Sequence, residues 1–441
     1  MVSKTEQSPA ETGFGDDDAQ ILEDAGLNAV RLGAIWANIE PSPGAYNDEY
    51  IDSLGQTVQL LARHGIYTLV DFHQDQFSQL YGDGAPGWAT LGDGTHAPDC
   101  GFAANLYRPG CRTDINGAYD AFWRNEQVNG VGLWEYYANM SAHVAERLNV
   151  FGGDIMGYEV MNEPFPGSQW RSCMNVGPPL DLSAGCVDFE QGALAAMYRT
   201  VFPALRAGAP DATIFFEPNL LVGLGGPIAL PDFDVENSGL AYHDYQSEPP
   251  DPYEVPIEHA ERYSAEAGVP ALVTEFGATS DGRAIADAAA VFDQQMVSWF
   301  HWAYSNNAPY TFAPPLNAQS PPDPQTQSVV ATLTQRRTAP NLNTGVLDAL
   351  TRVYPRSVAG TPMAYSYAPD SRIFTLTYAP RVSDDRSDAT THIVVPPSIY
   401  PHGYDCEVSS GATTTPDGPA LLVENAAQNT ENVTVTIRPT G

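Results

Sequence analysis

Up to about residue 350 the chain alternates short β-rich runs with helical segments. Strands separated by helices return to a neighbouring, parallel position, so this rhythm predicts a series of βα units and restricts the fold more than any other feature. The runs cover 28–36, 67–75, 155–164, 213–218, 239–245, 271–278 and 298–305. Between them lie stretches such as 133–148, where Leu133, Tyr137, Met140, Val144 and Leu148 recur at three- and four-residue spacing and read as the core stripe of a helix. Seven strands are one short of a closed (β/α)8 TIM barrel. The first strand of such a barrel is expected ahead of segment 1–14, missing or truncated at the start of this chain.

From residue 361 onward the texture changes: 373–378, 391–395, 420–423 and 432–437 are short β-type runs without helical period. They predict a C-terminal antiparallel β-sandwich. The expected division is a catalytic barrel over 1–353, a linker over 354–361 and a sandwich domain over 362–441. A balance of 20 basic against 54 acidic side chains repels nucleic acid and anionic membrane surfaces, which excludes nucleic-acid enzymes. The most apolar stretch, 219–231, is interrupted by glycine and proline and is shorter than the roughly 18 to 20 residues that span a bilayer. Met1-Val2-Ser3-Lys4 lacks the apolar core of a secretory signal.

Cys100 with Cys111 and Cys173 with Cys186 form two close pairs inside long loops rich in glycine, proline and aspartate, while Cys406 stands alone. Loop-stapling disulfides and reduced thiols are both open readings. Metal binding is the weaker alternative, since neither pair has zinc-type spacing or nearby histidines. Disulfides are preferred, and with them a secreted or extracytoplasmic site.

Most strands of the barrel region end in polar or aromatic residues: Asp71, His73 and Asp75, then Asn162 and Glu163, then His243 and Tyr245, then Glu275, then Trp302. In a (β/α)8 barrel these ends converge on one face, where active sites are built. Cleaving a glycosidic bond with retention takes two carboxyl groups about 5 to 5.5 Å apart, one delivering a proton to the departing oxygen and one attacking the anomeric carbon. Glu163, which follows the uncharged Asn162, suits the acid; Glu275, in Val273-Thr274-Glu275-Phe276-Gly277 with Tyr245 as a donor, suits the nucleophile. A lone glutamate at a strand end is more often a salt-bridged loop residue, and Glu217 is a rival for either role.

Met161-Asn162-Glu163-Pro164 and Glu275-Phe276-Gly277, together with Asp71-Phe72-His73-Gln74-Asp75, His243-Asp244-Tyr245 and Trp302, resemble the cellulase-type retaining glycoside hydrolase family five of clan A. Within it, Arg31 to Trp36 followed by Glu40-Pro41-Ser42-Pro43-Gly44-Ala45-Tyr46, the run Gly84-Ala85-Pro86-Gly87-Trp88-Ala89 and Tyr354-Pro355-Arg356-Ser357 are similar to endoglycoceramidases. The resemblance implies cleavage between an intact oligosaccharide and the ceramide of a glycosphingolipid, without metal or cofactor. It implies Lys4, Asp75, Asn162, Tyr245 and Trp302 as glycone-binding residues, with Arg31, His73 and His243 in support. A sugar-stacking indole is the expectation for Trp302, and transient contact with a membrane or micelle surface follows from a lipid substrate.

Segments 77–129 and 166–192, which carry the cysteine pairs, match the resemblance least and are expected to wall the cleft. The same chemistry would serve a glucosylceramidase, a steryl-β-glucosidase or a β-glucanase. A non-catalytic glycan- or lipid-binding protein on the same barrel is the alternative of another class.

Overall fold

The computed structural model describes residues 8–92, 98–101, 105, 110–111, 113–174, 181–246, 253–305, 327–381, 390–409, 411–426 and 428–440. The chain divides into two compact units. One comprises Met1–Asp16, Ala29–Ala278 and Trp299–Leu342; the other comprises Asp17–Asn28, Thr279–Ser298 and Asn343–Gly441.

In the first unit six strands lie side by side in chain order: β1 (Ala29–Ile35), β2 (Tyr67–His73), β3 (Ile155–Glu159), β4 (Thr213–Phe216), β5 (Ser238–Asp244) and β6 (Ala271–Phe276). Every neighbouring pair is parallel. The run at 298–305 continues the series through parallel bridges from Trp299 to Val273 and from Trp302 to Gly277. This is the curled parallel sheet of a (β/α)8 barrel; the strand expected ahead of segment 1–14 has no counterpart among the described residues.

Helices α1 (Asp48–Arg63), α2 (Thr113–Trp123), α3 (Leu133–Leu148), α4 (Ala195–Gly208) and α5 (Glu254–Ala267) occupy the connections. Helix α1 starts where the Asn47 side chain accepts the Tyr50 N–H, and Asp48 and Glu49 in its first turn complement the helix dipole. Helix α3 buries Leu133, Tyr137, Met140, Val144 and Leu148, the stripe read from the spacing.

The inner face of the sheet explains where the chemistry sits. Leu69, Phe215, Ala241, Leu272 and Phe300 pack into one apolar layer, with Ala29 against it. A Cβ on Gly157 or Gly239 would lie 2.9 or 2.8 Å from the Phe215 ring, so those two positions stay without side chains to admit it. Two residues further along each strand the same face turns charged: Ala29 gives way to Arg31, Leu69 to Asp71, Gly157 to Glu159, Phe215 to Glu217 and Ala241 to His243. Strand β6 reaches this layer differently. Its register against β5 slips so that Val273 pairs with Tyr242 but Glu275 pairs with His243. Leu272 and Glu275 then share the inner face although three residues apart, which strict alternation forbids and a bulge permits.

The second unit contains β7 (Tyr354–Ser357), β8 (Gly360–Ala368), β9 (Ile373–Pro380), β10 (Thr390–Val394), β11 (Tyr404–Val408), β12 (Ala412–Asp417), β13 (Ala420–Asn425) and β14 (Val433–Pro439). They form two four-stranded sheets in the orders β8-β9-β14-β11 and β12-β13-β10-β7. Phe374, Leu376 and Tyr378 from one sheet join Ile393, Leu421 and Val423 from the other in a single apolar core, the inward alternation of a β-sandwich.

Two expected boundaries change. Residues 354–357 are not a linker: they pair with β10 through Tyr354 to Val394 and Pro355 to Ile393. Pro355, which lacks an N–H, is tolerated because β7 is an edge strand. The barrel region does not run unbroken to residue 353 either, because α6 (Gly282–Gln295) groups with the sandwich. Its buried Asp293 pairs with Arg352 and accepts the Tyr365 hydroxyl at 3.0 Å, which ties that helix to the strands that follow. Cys100 is bonded to Cys111 and Cys173 to Cys186, with Cys406 free.

Candidate active site

Arg31 is the hub of the charged layer. It is 0% exposed, and its Nε lies 2.5 Å from Glu159 Oε2 while Nη1 lies 2.5 Å from Glu275 Oε1. Nη2 reaches Asn162 Oδ1 at 2.8 Å, Asp71 Oδ1 at 3.2 Å and Glu217 Oε1 at 3.5 Å. A planar guanidinium with five donors can address five partners from four chain segments at once, which an ammonium cannot do. Burial works against its charge, but Asp71, Glu159, Glu275 and Glu217 outweigh that and keep it protonated.

Glu275 is held by both oxygens. Oε1 faces Arg31, while Oε2 accepts the Tyr245 hydroxyl at 2.7 Å and lies 3.5 Å from His243 Nδ1. Burial alone would push its carboxyl up; His243, Arg31, His73 and the Tyr245 hydrogen bond together hold it below the usual carboxylate range. Glu275 is therefore an ionised, oriented carboxylate.

Glu163 follows β3 in a turn where its backbone is left-handed, with φ of 43°. A non-glycine residue pays for that conformation with about 1–3 kcal/mol. Its side chain is 16% exposed, and Oε1 lies 2.9 Å from His243 Nδ1. Carboxylate oxygens of Glu163 and Glu275 and a ring nitrogen of His243 all lie within 4.8 Å of one another. That is the close pairing of retaining hydrolysis rather than the wider gap that admits a water between the carboxyls. Burial would lower His243, but Glu275 and Glu163 raise it above the ordinary histidine value.

His73 Nδ1 lies 2.7 Å from Asp71 Oδ2, and its Nε2 lies 3.8 Å from Asp75 Oδ2. Burial pulls its pKa down, yet Asp71 and Asp75 together push it up to about 10. Asn162 accepts the Arg31 Nη2 N–H at Oδ1 and donates from Nδ2 to Gln74 O at 3.0 Å. Trp302 stacks on His73 with ring centroids 5.8 Å apart and planes 16° from parallel. One face of Trp302 lies on the histidine, and 2% of the residue is exposed. Lys4 lies outside the described residues.

Three buried carboxyl groups around Arg31 carry more of the site than their sequence context suggested. Asp71 anchors both Arg31 and His73, and Glu159 takes the shortest contact from Nε. Glu217, the rival, sits behind Glu163 rather than beside Glu275. Burial and the charge of Glu159 push its carboxyl above the usual carboxylate range, and its Oε2 accepts the Glu163 N–H. The signal for Glu159 was its period-two relation to Gly157 on one strand face. His73 with Asp75 and Asp83, Glu159 with Glu217 and His243, and Glu163 with His243 and Glu275 have metal-type spacing. Both histidines lie within hydrogen-bond distance of carboxylates, His73 of Asp71 and His243 of Glu163.

Residues 14–313 match the family Cellulase (glycosyl hydrolase family 5), and residues 352–437 match the Glycoside hydrolase family 5 C-terminal domain. Endoglycoceramidase I of Rhodococcus hoagii is 27% identical over 462 aligned positions, covering 98% of this chain and 82% of that protein. An endoglycoceramidase of Cyanea nozakii is 28% identical, covering 90% and 78%. The solved structure of endo-glycoceramidase II from Rhodococcus sp. as a lactosyl-enzyme intermediate superposes with a TM-score of 0.73 at 26% identity, covering 96% of this chain and 92% of that one. The same enzyme in complex with ganglioside GM3 gives 0.72 at 25% identity, with the same coverage. With that family's pattern running through most of its length and a paired carboxylate site at the strand ends, the chain belongs to glycosyl hydrolase family 5.

Proposed function

We propose that this protein is a retaining endoglycoceramidase, which hydrolyses the β-glycosidic bond between an intact oligosaccharide and ceramide. The observation that carries the chemistry is the placement of Glu163 and Glu275 within 4.8 Å around His243, one in a partly open turn and the other locked on Arg31 and Tyr245. Glu275 attacks the anomeric carbon as Glu163 protonates the departing ceramide oxygen; the C–O bond breaks and a covalent glycosyl-enzyme forms. Glu163, now a base, takes a proton from water as that water displaces Glu275, and two inversions give retention. Asp75, Asn162, Tyr245 and Trp302, with Lys4, are assigned to the glycone side, and Arg31, His73 and His243 hold the carboxylates and their partners in register.

The lipid substrate is supported by relatives that extend over both parts of the chain and are endoglycoceramidases by name. A secreted or extracytoplasmic site is supported by two disulfides, and a ceramide substrate brings transient contact with a membrane or micelle surface. Digestion of a defined panel of glycosphingolipids, with product masses read, tests the reading. Free ceramide and an intact oligosaccharide from a ganglioside are expected; glucose released from glucosylceramide, with gangliosides untouched, would overturn the endo assignment.

A further inference from the structure

The peptide that carries Glu163 is gripped from two sides. Gln74, one residue beyond β2, donates from Nε2 to Asn162 O at 2.7 Å and to Glu163 O at 3.1 Å. On the other side, Glu217 Oε2 accepts the Glu163 N–H at 3.2 Å. A left-handed turn at a non-glycine residue persists only where its surroundings over-determine it, and these three bonds lie on the carbonyls and amide that define it.

Gln74 is itself fixed. Its Oε1 accepts the Phe77 N–H and the Tyr119 hydroxyl, each at 2.7 Å. Gly84, at φ +115°, passes so close that a Cβ there would sit 2.5 Å from Gln74 Cβ and 2.6 Å from Phe77 O. Tyr119 belongs to α2, which begins two residues after the disulfide-bonded Cys111. Helix α2 thus reaches the turn of Glu163 through one carboxamide. Glu217 is braced in the same manner, since Tyr198 donates its hydroxyl to Glu217 O at 2.7 Å.

We infer that Gln74, braced by Tyr119 and opposed by Glu217, is a positioning residue for the acid/base glutamate, so that helix α2 sets the aim of the proton donor. Gln74 neither gives nor takes a proton in the reaction; it acts through the backbone of Glu163. The inference rests on the acid/base reading of Glu163.

The test uses the full-length chain and compares two substrates: lactosylceramide, whose alkoxide leaving group needs a proton, and 2,4-dinitrophenyl β-lactoside, whose leaving group does not. Gln74→Met should lower kcat/KM on lactosylceramide by about 10- to 100-fold. Formation of the glycosyl-enzyme from the aryl lactoside should fall by less than about three-fold. Tyr119→Phe should show the same asymmetry at smaller size, and azide should raise turnover of the aryl lactoside in both variants and in Glu163→Ala. Glu217→Gln, which keeps an acceptor for the Glu163 N–H, should be milder than Glu217→Leu. Equal losses on the two substrates, or unchanged lactosylceramide kinetics, would overturn the inference; should Gln74→Met not fold, the same ratio in Tyr119→Phe decides. If Glu163→Ala itself shows no dependence on the leaving group, the acid/base reading fails; if it does and Gln74→Met does not, only the positioning role is lost.

Discussion

Arg31 and Glu275 meet at 2.5 Å across a sequence separation of 244 residues, joining the first described strand of the barrel to the sixth. The pair is wholly buried, and removing one member strands the other. Arg31→Met leaves the carboxyls of Glu275, Glu159, Asp71 and Glu217 around an uncharged side chain. The variant should lose about 3–5 kcal/mol of stability by chemical denaturation together with most of its activity. Stability equal to the parent's would show that the carboxyl cluster does not depend on this cation.

The two glutamates should fail in different ways. Glu163→Ala should lose roughly 10²–10⁴-fold on ceramide-linked glycans yet still form the glycosyl-enzyme readily from aryl glycosides with good leaving groups. Glu275→Gly should be inactive on both and regain turnover with azide, yielding the α-glycosyl azide. Product stereochemistry by NMR checks the second outcome, and a β-azide from Glu275→Gly would exchange the two roles.

Removing the Tyr245 hydroxyl should move the acidic limb of the pH profile. That hydroxyl is one of the groups holding Glu275 below the ordinary carboxylate range. A group with a depressed folded pKa loses its charge as pH falls through that value, and without the donor the loss begins at higher pH. Tyr245→Phe should therefore shift the acidic limb of kcat/KM toward neutral pH, whereas an unmoved limb would mean that the bond does not govern ionisation.

His73 has the opposite sign. Its folded pKa of about 10 lies above the unfolded value near 6.5. Its ion pair with Asp71 stabilises the fold fully below the unfolded value, and that contribution fades as pH rises through about 10. Melting temperatures measured from pH 6 to pH 10.5 should fall more steeply for the parent than for His73→Gln; parallel curves would contradict the assignment.

The disulfides close short loops, with sequence separations of 11 and 13. Loops of that size stabilise by about 2–3 kcal/mol through the unfolded chain. The double change of Cys173→Ser and Cys186→Ser should lower stability by that amount in denaturant titrations, and reduction of the parent, which opens both bridges, should lower it by about twice as much.

Strand positions were legible because each barrel strand is a hydrophobic run closed by a polar turn, and Glu163 and Glu275 stand at two of those closures. The neighbours of Arg31 were less legible. Glu159 lies within such a run, where a single acid between Tyr158 and Val160 reads as noise until the barrel interior gives it a partner. In the sandwich, β9 and β14 show clear alternation, whereas β8 and β12 are largely exposed and carry Pro362 and Pro416. Their pairing is decided by neighbours rather than by their own pattern. Edge strand β7 passed for a linker because its proline reads as a break.

The irregular step in β6 belongs to the nucleophile as much as the glutamate itself. Counting along it by twos from Leu272 would turn the nucleophile outward, toward the helices; the one surplus residue before Glu275 is what rotates it back. A lineage could therefore exchange many of the side chains in this strand and keep its chemistry, but straightening the strand at unchanged length would turn Glu275 toward the helices with the catalytic residue still in the gene.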